Sequence, residues 1–190
     1  MAKTIDEQLK KQLEKPQTWF CKYFPQRIKN VGLDAVVARE LVWAFKDSRN
    51  GAQEEVAQKV AQYLTEKYGE QLKNMVFVCV PASSQAKHES RYKGFCERVS
   101  ELSGITNGYS LVGVSGERLS IHEHRKSEKE IRKVSIINFD ETNIQGKTIC
   151  VFDDVITTGR SYAVFADQLE QYGANVIEGI FLARTHYRYQ

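Results

Sequence analysis

Two adjacent carboxylates, Asp153 and Asp154, end the apolar run TICVF, and a loop of a different kind follows: Thr157, Thr158, Gly159, Arg160 and Ser161. A strand that turns through small residues into a helix points several backbone N–H groups at one spot. The positive end of the helix dipole adds to them, so such a loop suits a phosphate. Gly159 lets the backbone approach closely, and the hydroxyls of Thr157, Thr158 and Ser161 add donors. The carboxylates cannot face the same phosphate without repulsion; they suit hydroxyl donors or a hydrated Mg²⁺. A phosphate at one end and a diol or metal at the other describes a ribose 5-phosphate. The plainer reading is a capped strand–turn–helix with a solvated acidic pair. No Walker A pattern or Gly-x-Gly-x-x-Gly fingerprint competes for the role.

The elements that must position these residues follow from hydrophobic spacing. MVFVCVP (75–81) and TICVFDD (148–154) read as strands, the first buried on both faces and stopped by proline. YSLVGVS (109–115), VSIINF (134–139) and NVIEGIFLA (175–183) read as further strands. A helix carries Tyr92, Phe95, Cys96, Val99 and Leu102 inward, and SYAVFADQLEQYG (161–173) is another, with Ser161, Val164, Phe165, Gln168, Leu169 and Tyr172 aligned. Ahead of the strands lies a helical opening. Ile5, Leu9 and Leu13 share one face of a short helix, and Pro16 and Pro25 bracket an irregular stretch. Leu33, Val36, Val37, Leu41, Ala44 and Phe45 form the stripe of a second helix, and Val56, Val60, Tyr63 and Leu64 that of a third. Buried-type strands alternating with helices predict an α/β fold: a mostly parallel sheet flanked by helices, with an N-terminal helical extension. The expected division is a helical segment over 1–70 packed on a core over 71–190, together one domain.

Composition bounds the rest. The chain has 190 residues, 42% hydrophobic and 27% charged, which excludes disorder, collagen-like repeats and coiled-coil rods. A net charge of +3 is too small to argue by itself for nucleic acid as partner. The longest apolar run is far short of the roughly 20 residues of a membrane helix. The first residues show no signal-peptide pattern, so the cytoplasm is the expected address. Cys21, Cys79, Cys96 and Cys150 form no Cys-x-x-Cys pair, and Cys79 and Cys150 lie in apolar runs, as reduced core cysteines do. His122-x-His124 lacks further ligands for zinc, so no zinc site is expected.

The stretch VFDDVITTGRS (151–161) resembles, almost letter for letter, the signature of type I phosphoribosyltransferases, which bind phosphoribosyl pyrophosphate (PRPP). The resemblance implies that Asp153 and Asp154 hold the ribose hydroxyls and the associated Mg²⁺, and that Thr157, Thr158, Gly159, Arg160 and Ser161 hold the 5-phosphate. It also implies a pyrophosphate loop directly after the first core strand, here Pro81, Ala82, Ser83 and Ser84. HESRYKGFCERVSE (88–101) is similar to the Arg-x-Gly-Phe-Asn-Gln segment of the ComF-type, amidophosphoribosyltransferase-like branch, with Arg91 and Lys93 in comparable places, which makes them further candidates to bind the pyrophosphate. LVWAFKDSRN is similar to that branch's Leu-Lys-Tyr helix. Cys96-Glu97 replaces the Asn-Gln pair, and the zinc ribbon of that branch is absent.

In the superfamily a long loop closes over the reacting centre. The polar connection from Gly116 to Lys133 stands in that place, and Arg125 and Lys126 are the candidates to neutralise the leaving pyrophosphate. The function implied is transfer of ribose 5-phosphate from Mg²⁺-PRPP to a small-molecule nitrogen nucleophile, with release of pyrophosphate. The alternative is a PRPP- or nucleotide-binding regulator without turnover, or a ComF-like protein associated with nucleic acid. The tail ARTHYRYQ, with aromatics between cations, keeps nucleic acid open as a partner without favouring it. Residues 1–40 and 184–190 are the candidates for the hood that recognises the acceptor. Dimers are common in the superfamily, which leaves a homodimer open.

Overall fold

The computed structural model describes residues 7–115 and 136–189. Its order is α1 (Glu7–Leu13), β1 (Gln17–Tyr23), α2 (Leu33–Lys46), α3 (Asn50–Tyr68), β2 (Met75–Cys79), α4 (Gln85–His88), α5 (Gly94–Ser103), β3 (Thr106–Asn107), β4 (Val112–Ser115), β5 (Ile136–Phe139), α6 (Glu141–Ile144), β6 (Thr148–Ile156), α7 (Arg160–Gln171) and β7 (Asn175–Thr185). A widened π-turn, Glu89–Lys93, joins α4 to α5.

The apolar runs take the middle of a five-stranded sheet of order β1-β7-β6-β2-β3, in which every neighbouring pair is parallel. Every residue of β2 is buried, as the unbroken run MVFVC requires of a strand covered on both faces. On one face Val42 and Phe45 of α2, Val56, Val60 and Leu64 of α3 and Phe95 and Val99 of α5 pack against Phe77, Cys150 and Phe152. On the other, Phe165, Ala166 and Leu169 of α7 pack against Val76, Val78, Ile149 and Val151. The α/β fold with a mostly parallel sheet is therefore the one observed. No helix among the described residues is long and apolar enough to cross a membrane.

Four features differ from the sequence reading. Residues 17–23 are a strand rather than an irregular stretch. QTWFCKY lies at the sheet edge with only β7 to bond, and its partial burial hides the apolar signal of a central strand. The segments 109–115 and 136–139 do not join the main sheet, and residues 134 and 135 of the expected strand lie outside the described residues. Tyr109–Leu111 is a 3₁₀ turn, and β4 and β5 pair antiparallel as a separate ribbon. The buried face of α2 is Ala35, Ala38, Val42 and Phe45, while Leu33 and Val37 are 78% and 56% exposed. Two small alanines give close approach to the sheet, and the larger residues were the misleading signal. On α3, α5 and α7 the stripes are nearly right; of the first helix Ile5 lies outside the described residues, and Gln12 is the buried residue of α1. Leu102 faces outward on α5, and on α7 Tyr162, Ala163 and Ala166 are buried where Ser161 and Tyr172 are exposed.

Phe45, at the end of α2, meets Phe95 edge-on at a ring separation of 5.0 Å and Phe152 at 5.8 Å. This aromatic cluster fixes the last turn of α2 above the strand that carries the acidic pair. Phe45→Ala is expected to lower the unfolding free energy by about 3–5 kcal/mol, and Leu33→Ser to change it by less than about 0.5 kcal/mol, both measured by urea denaturation. Equal effects would place the buried face of α2 elsewhere.

Candidate functional site

At the carboxyl edge of a parallel sheet the strand ends open towards ligands. Here β1, β7 and β6 end together: Tyr23 stands beside Thr185 in register, the His186 N–H donates to the Tyr23 carbonyl at 2.8 Å, and the Thr157 and Thr185 hydroxyls are 2.7 Å apart. At these ends lies a cleft of about 720 Å³, lined by Asp153, by Thr157, Thr158, Gly159, Arg160 and Ser161, and by Tyr23, Arg27, Lys46 and Tyr187.

The loop 157–161 has the form a phosphate needs. Gly159 takes a positive φ of 75°, which glycine adopts at little cost, and it caps the twelve-residue helix α7. A Cβ at Gly159 would also stand 2.5 Å from the Leu13 side chain of α1, so backbone conformation and packing both require glycine. The Thr158 hydroxyl accepts from the Arg160 N–H at 3.4 Å, turning the loop into the helix. The first-turn N–H groups that follow have no acceptor within the helix and sit at the positive end of its dipole.

The acidic pair is divided. β6 does not stop at Asp154 but continues to Ile156, so the two carboxylates leave the strand in opposite directions. Asp154 turns with Phe152 towards α2 and the π-turn, where it is 7% exposed. There its Oδ2 accepts from Arg91 Nη1 at 3.0 Å, and Lys46 Nζ lies 3.7 Å from its Oδ1. Arg91 also donates through Nε and Nη2 to the Lys46 carbonyl, at 3.2 and 3.0 Å. One guanidinium thus ties the end of α2 to the strand. Asp153 faces the cleft, its Oδ1 accepting from the Asp154 N–H at 2.9 Å. Burial, and then the charge of Asp154, push its carboxyl well above the ordinary 3.8.

Of the other residues singled out by sequence, Pro81 to Ser84 follow β2 as a turn, with Pro81 and Ala82 buried. Ser84 caps α4, accepting from the Lys87 N–H at 3.3 Å, and the Ala82 N–H points back to His88 Nδ1 at 3.5 Å. His88 is buried between Tyr92 and Tyr109, and burial with the Arg91 charge holds its pKa down to about 4. The structure brings Arg91 to Asp154 and leaves Lys93 on the surface, paired with Glu89 at 3.1 Å. Arg125 and Lys126 lie outside the described residues. All four cysteines are free, and Cys79, Cys96 and Cys150 are buried.

Sequence reasoning missed Tyr23, Arg27 and Lys46 as cleft residues. Tyr23 and Arg27 fall within the broad hood segment 1–40 without being singled out; for Tyr23 the available signal was QTWFCKY itself, a short aromatic segment between Pro16 and Pro25.

No protein-family model and no curated protein matches the chain. Among solved structures it is similar to phosphoribosylpyrophosphate synthetase from Mycobacterium smegmatis, at 19% identity and a TM-score of 0.41 over 68% of this chain and 33% of that one. It is similar to a hypoxanthine-guanine phosphoribosyltransferase from Bacillus anthracis, at 14% identity and 0.38 over 73% and 65%. It is also similar to a hypothetical protein from Neisseria gonorrhoeae with bound ppGpp, at 9% identity and 0.41 over 92% and 75%. The chain thus spans a third of the length of the first and just under two thirds of the second. None is close enough in sequence to assign this chain an activity.

Two outcomes follow from the divided pair. Arg91→Met leaves Asp154 with only the distant Lys46 and is expected to cost about 3 kcal/mol, the lower end for a broken buried pair because both side chains keep some exposure. Urea denaturation measures it, and a loss under about 1 kcal/mol would show that the contact is incidental. For Asp153 the sign is opposite. A carboxyl whose folded pKa is raised takes up protons on folding, so its stability contribution is lost as pH rises through the folded value. Asp153→Asn is therefore expected to raise Tm at alkaline pH, with the gain disappearing as pH falls towards 3.8. A gain independent of pH would contradict the assignment.

Proposed function

We propose that this protein is a phosphoribosyltransferase that takes ribose 5-phosphate from PRPP and transfers it to a small nitrogen nucleophile, releasing pyrophosphate. The observation that carries the reading is one cleft holding both halves of a ribose 5-phosphate site: the Thr157–Ser161 loop at the start of α7 and the carboxylate of Asp153. The loop binds the 5-phosphate through backbone N–H groups and hydroxyls. Asp153 accepts from the ribose hydroxyls. Asp154, already held by Arg91, positions the strand and sets the charge beside its neighbour.

The residues present fit a Mg²⁺ that arrives on the substrate. Among the described residues no three metal-ligating side chains cluster, and one cleft-facing carboxylate with phosphate and hydroxyl oxygens is the donor set that Mg²⁺ takes from protein and nucleotide together. Bound there, the ion supplies charge neutralisation for the departing pyrophosphate. Lys46 is a cation of the chain's own at the same end of the cleft, and Arg125 and Lys126 are further candidates from the 116–133 connection. Bond breaking at the anomeric carbon builds positive charge on the sugar and negative charge on the leaving group. Fixed charges placed for both lower the barrier without a covalent nucleophile. Pro81 to Ser84 remain the candidates to receive the pyrophosphate, with the Ala82 N–H directed at His88 Nδ1.

A thermal-shift titration with Mg²⁺-PRPP tests the site. At a ligand concentration a hundredfold above Kd the stabilisation is about 2.7 kcal/mol, or roughly 5–10 °C for a chain of this size. The shift is expected in the wild type and absent from Thr158→Asp, which sets a negative charge in the phosphate loop. No shift in a folded wild type would overturn the PRPP site. A shift without base-dependent pyrophosphate release would make the protein a PRPP-binding regulator.

A further inference from the structure

Beyond the phosphate loop and the acidic pair, the cleft has a third wall whose chemistry points to the acceptor. It is a built wall. Phe24 is buried at 3% exposure, against Tyr189 at a ring separation of 5.2 Å and His186 at 5.8 Å. Arg39 donates to the carbonyls of Phe24, Pro25 at 3.1 Å and Ile28 at 2.8 Å, closing residues 24–28 into a fixed turn. The Tyr189 hydroxyl donates to Asp34 Oδ1 at 2.6 Å, and its path is open because position 32 is glycine, where a Cβ would stand 2.0 Å from that hydroxyl. The tail is thus strapped across the turn.

What this wall presents to the cleft is Arg27 and Tyr187. The guanidinium of Arg27 lies 5.2 Å from the centre of the Tyr187 ring. A guanidinium held over a ring in this way can still donate N–H bonds to an anion. No carboxylate among the described residues pairs with Arg27. The other cations on the cleft have work already: Lys46 stands beside Asp154, and Arg160 belongs to the phosphate loop. Among the described residues Arg27 is the cleft cation left over, beside the Tyr187 ring and on a lining that also includes Tyr23 and the 157–161 loop.

We propose that the acceptor is a planar heterocyclic acid, whose ring carboxylate is held by the free donors of Arg27 while its ring lies among Tyr23 and Tyr187. The inference rests on the PRPP reading and adds the charge class of the acceptor to it. A fork of N–H donors pairs with a carboxylate through two charge-assisted bonds. A neutral base would leave that fork without an anion.

Two matched pairs of nucleotides test this with purified full-length protein: orotidine against uridine 5′-monophosphate, and nicotinate against nicotinamide mononucleotide. Each pair differs chiefly by one carboxylate. Calorimetric titration is expected to show tighter binding of the carboxylated member by about tenfold or more in at least one pair, as loss of a hydrogen bond to a charged group implies. Arg27→Gln is expected to erase that preference while leaving binding of the neutral member unchanged, and Arg27→Lys to recover part of it. Because Arg27 is exposed, the variants are expected to fold. Equal affinities within both pairs, or an Arg27→Gln variant that weakens both members alike, would overturn the acidic acceptor and leave the PRPP site standing. If neither the nucleotides nor PRPP binds the wild type, the PRPP reading falls and this inference with it.

Discussion

The guanidinium of Arg91 holds three things at once: the carboxylate of Asp154, the carbonyl at the end of α2, and through these the strand whose neighbouring residue faces the cleft. Most of the site depends on that contact. Because Asp154 is neutralised from behind, Asp153 can be brought to the cleft beside it without two unpaired carboxylates competing in one place. Burial, and after it the charge of Asp154, keep the Asp153 carboxyl above its usual range. A ligand rich in hydroxyls, or one that carries a cation, relieves that strain on binding. The pair that reads in sequence as two equal ligands is in the fold one carboxylate facing the cleft and one bonded to Arg91.

The rest of the site is made where strands end. β6 delivers Asp153 and the loop 157–161, while β1 and β7 lead into Tyr23, Arg27 and Tyr187 on the same cleft. β1 is an edge strand, bonded to β7 alone, yet its last residue begins the turn that Arg39 closes. The N-terminal segment is therefore part of the sheet as well as a cover for it. The segment 23–28, the tail and the loop 157–161 all leave the same ladder of parallel strands. The loop is local in sequence, while the rest of the lining is assembled from residues far apart in the chain.

Legibility in the sequence followed locality. The strand, loop and helix over 148–171 could be read because an apolar run, a glycine with positive φ and a helical stripe all lie within one short stretch. The same holds for α3 and β2. The edge strand escaped because its half-exposed residues lack both the alternation of a one-sided strand and the density of a buried one. On α2 the large residues Leu33 and Val37 outweighed the alanines that are buried. The Arg91–Asp154 contact joins residues 63 apart in the chain, and Arg91 to the Lys46 carbonyl another 45. No spacing rule reaches that far. Arg91 could be named from a motif, but its partner could not.

The central claim is the division of labour between the two aspartates at a ribose 5-phosphate site, and a crystal structure of the protein with PRPP and Mg²⁺ tests it most directly. The account predicts the 5-phosphate on the N–H groups of the Thr157–Ser161 loop, the ribose hydroxyls on Asp153, and Asp154 still bonded to Arg91. Density for PRPP away from that loop, or an Asp154 that has left Arg91 to share the ribose equally with Asp153, would contradict it.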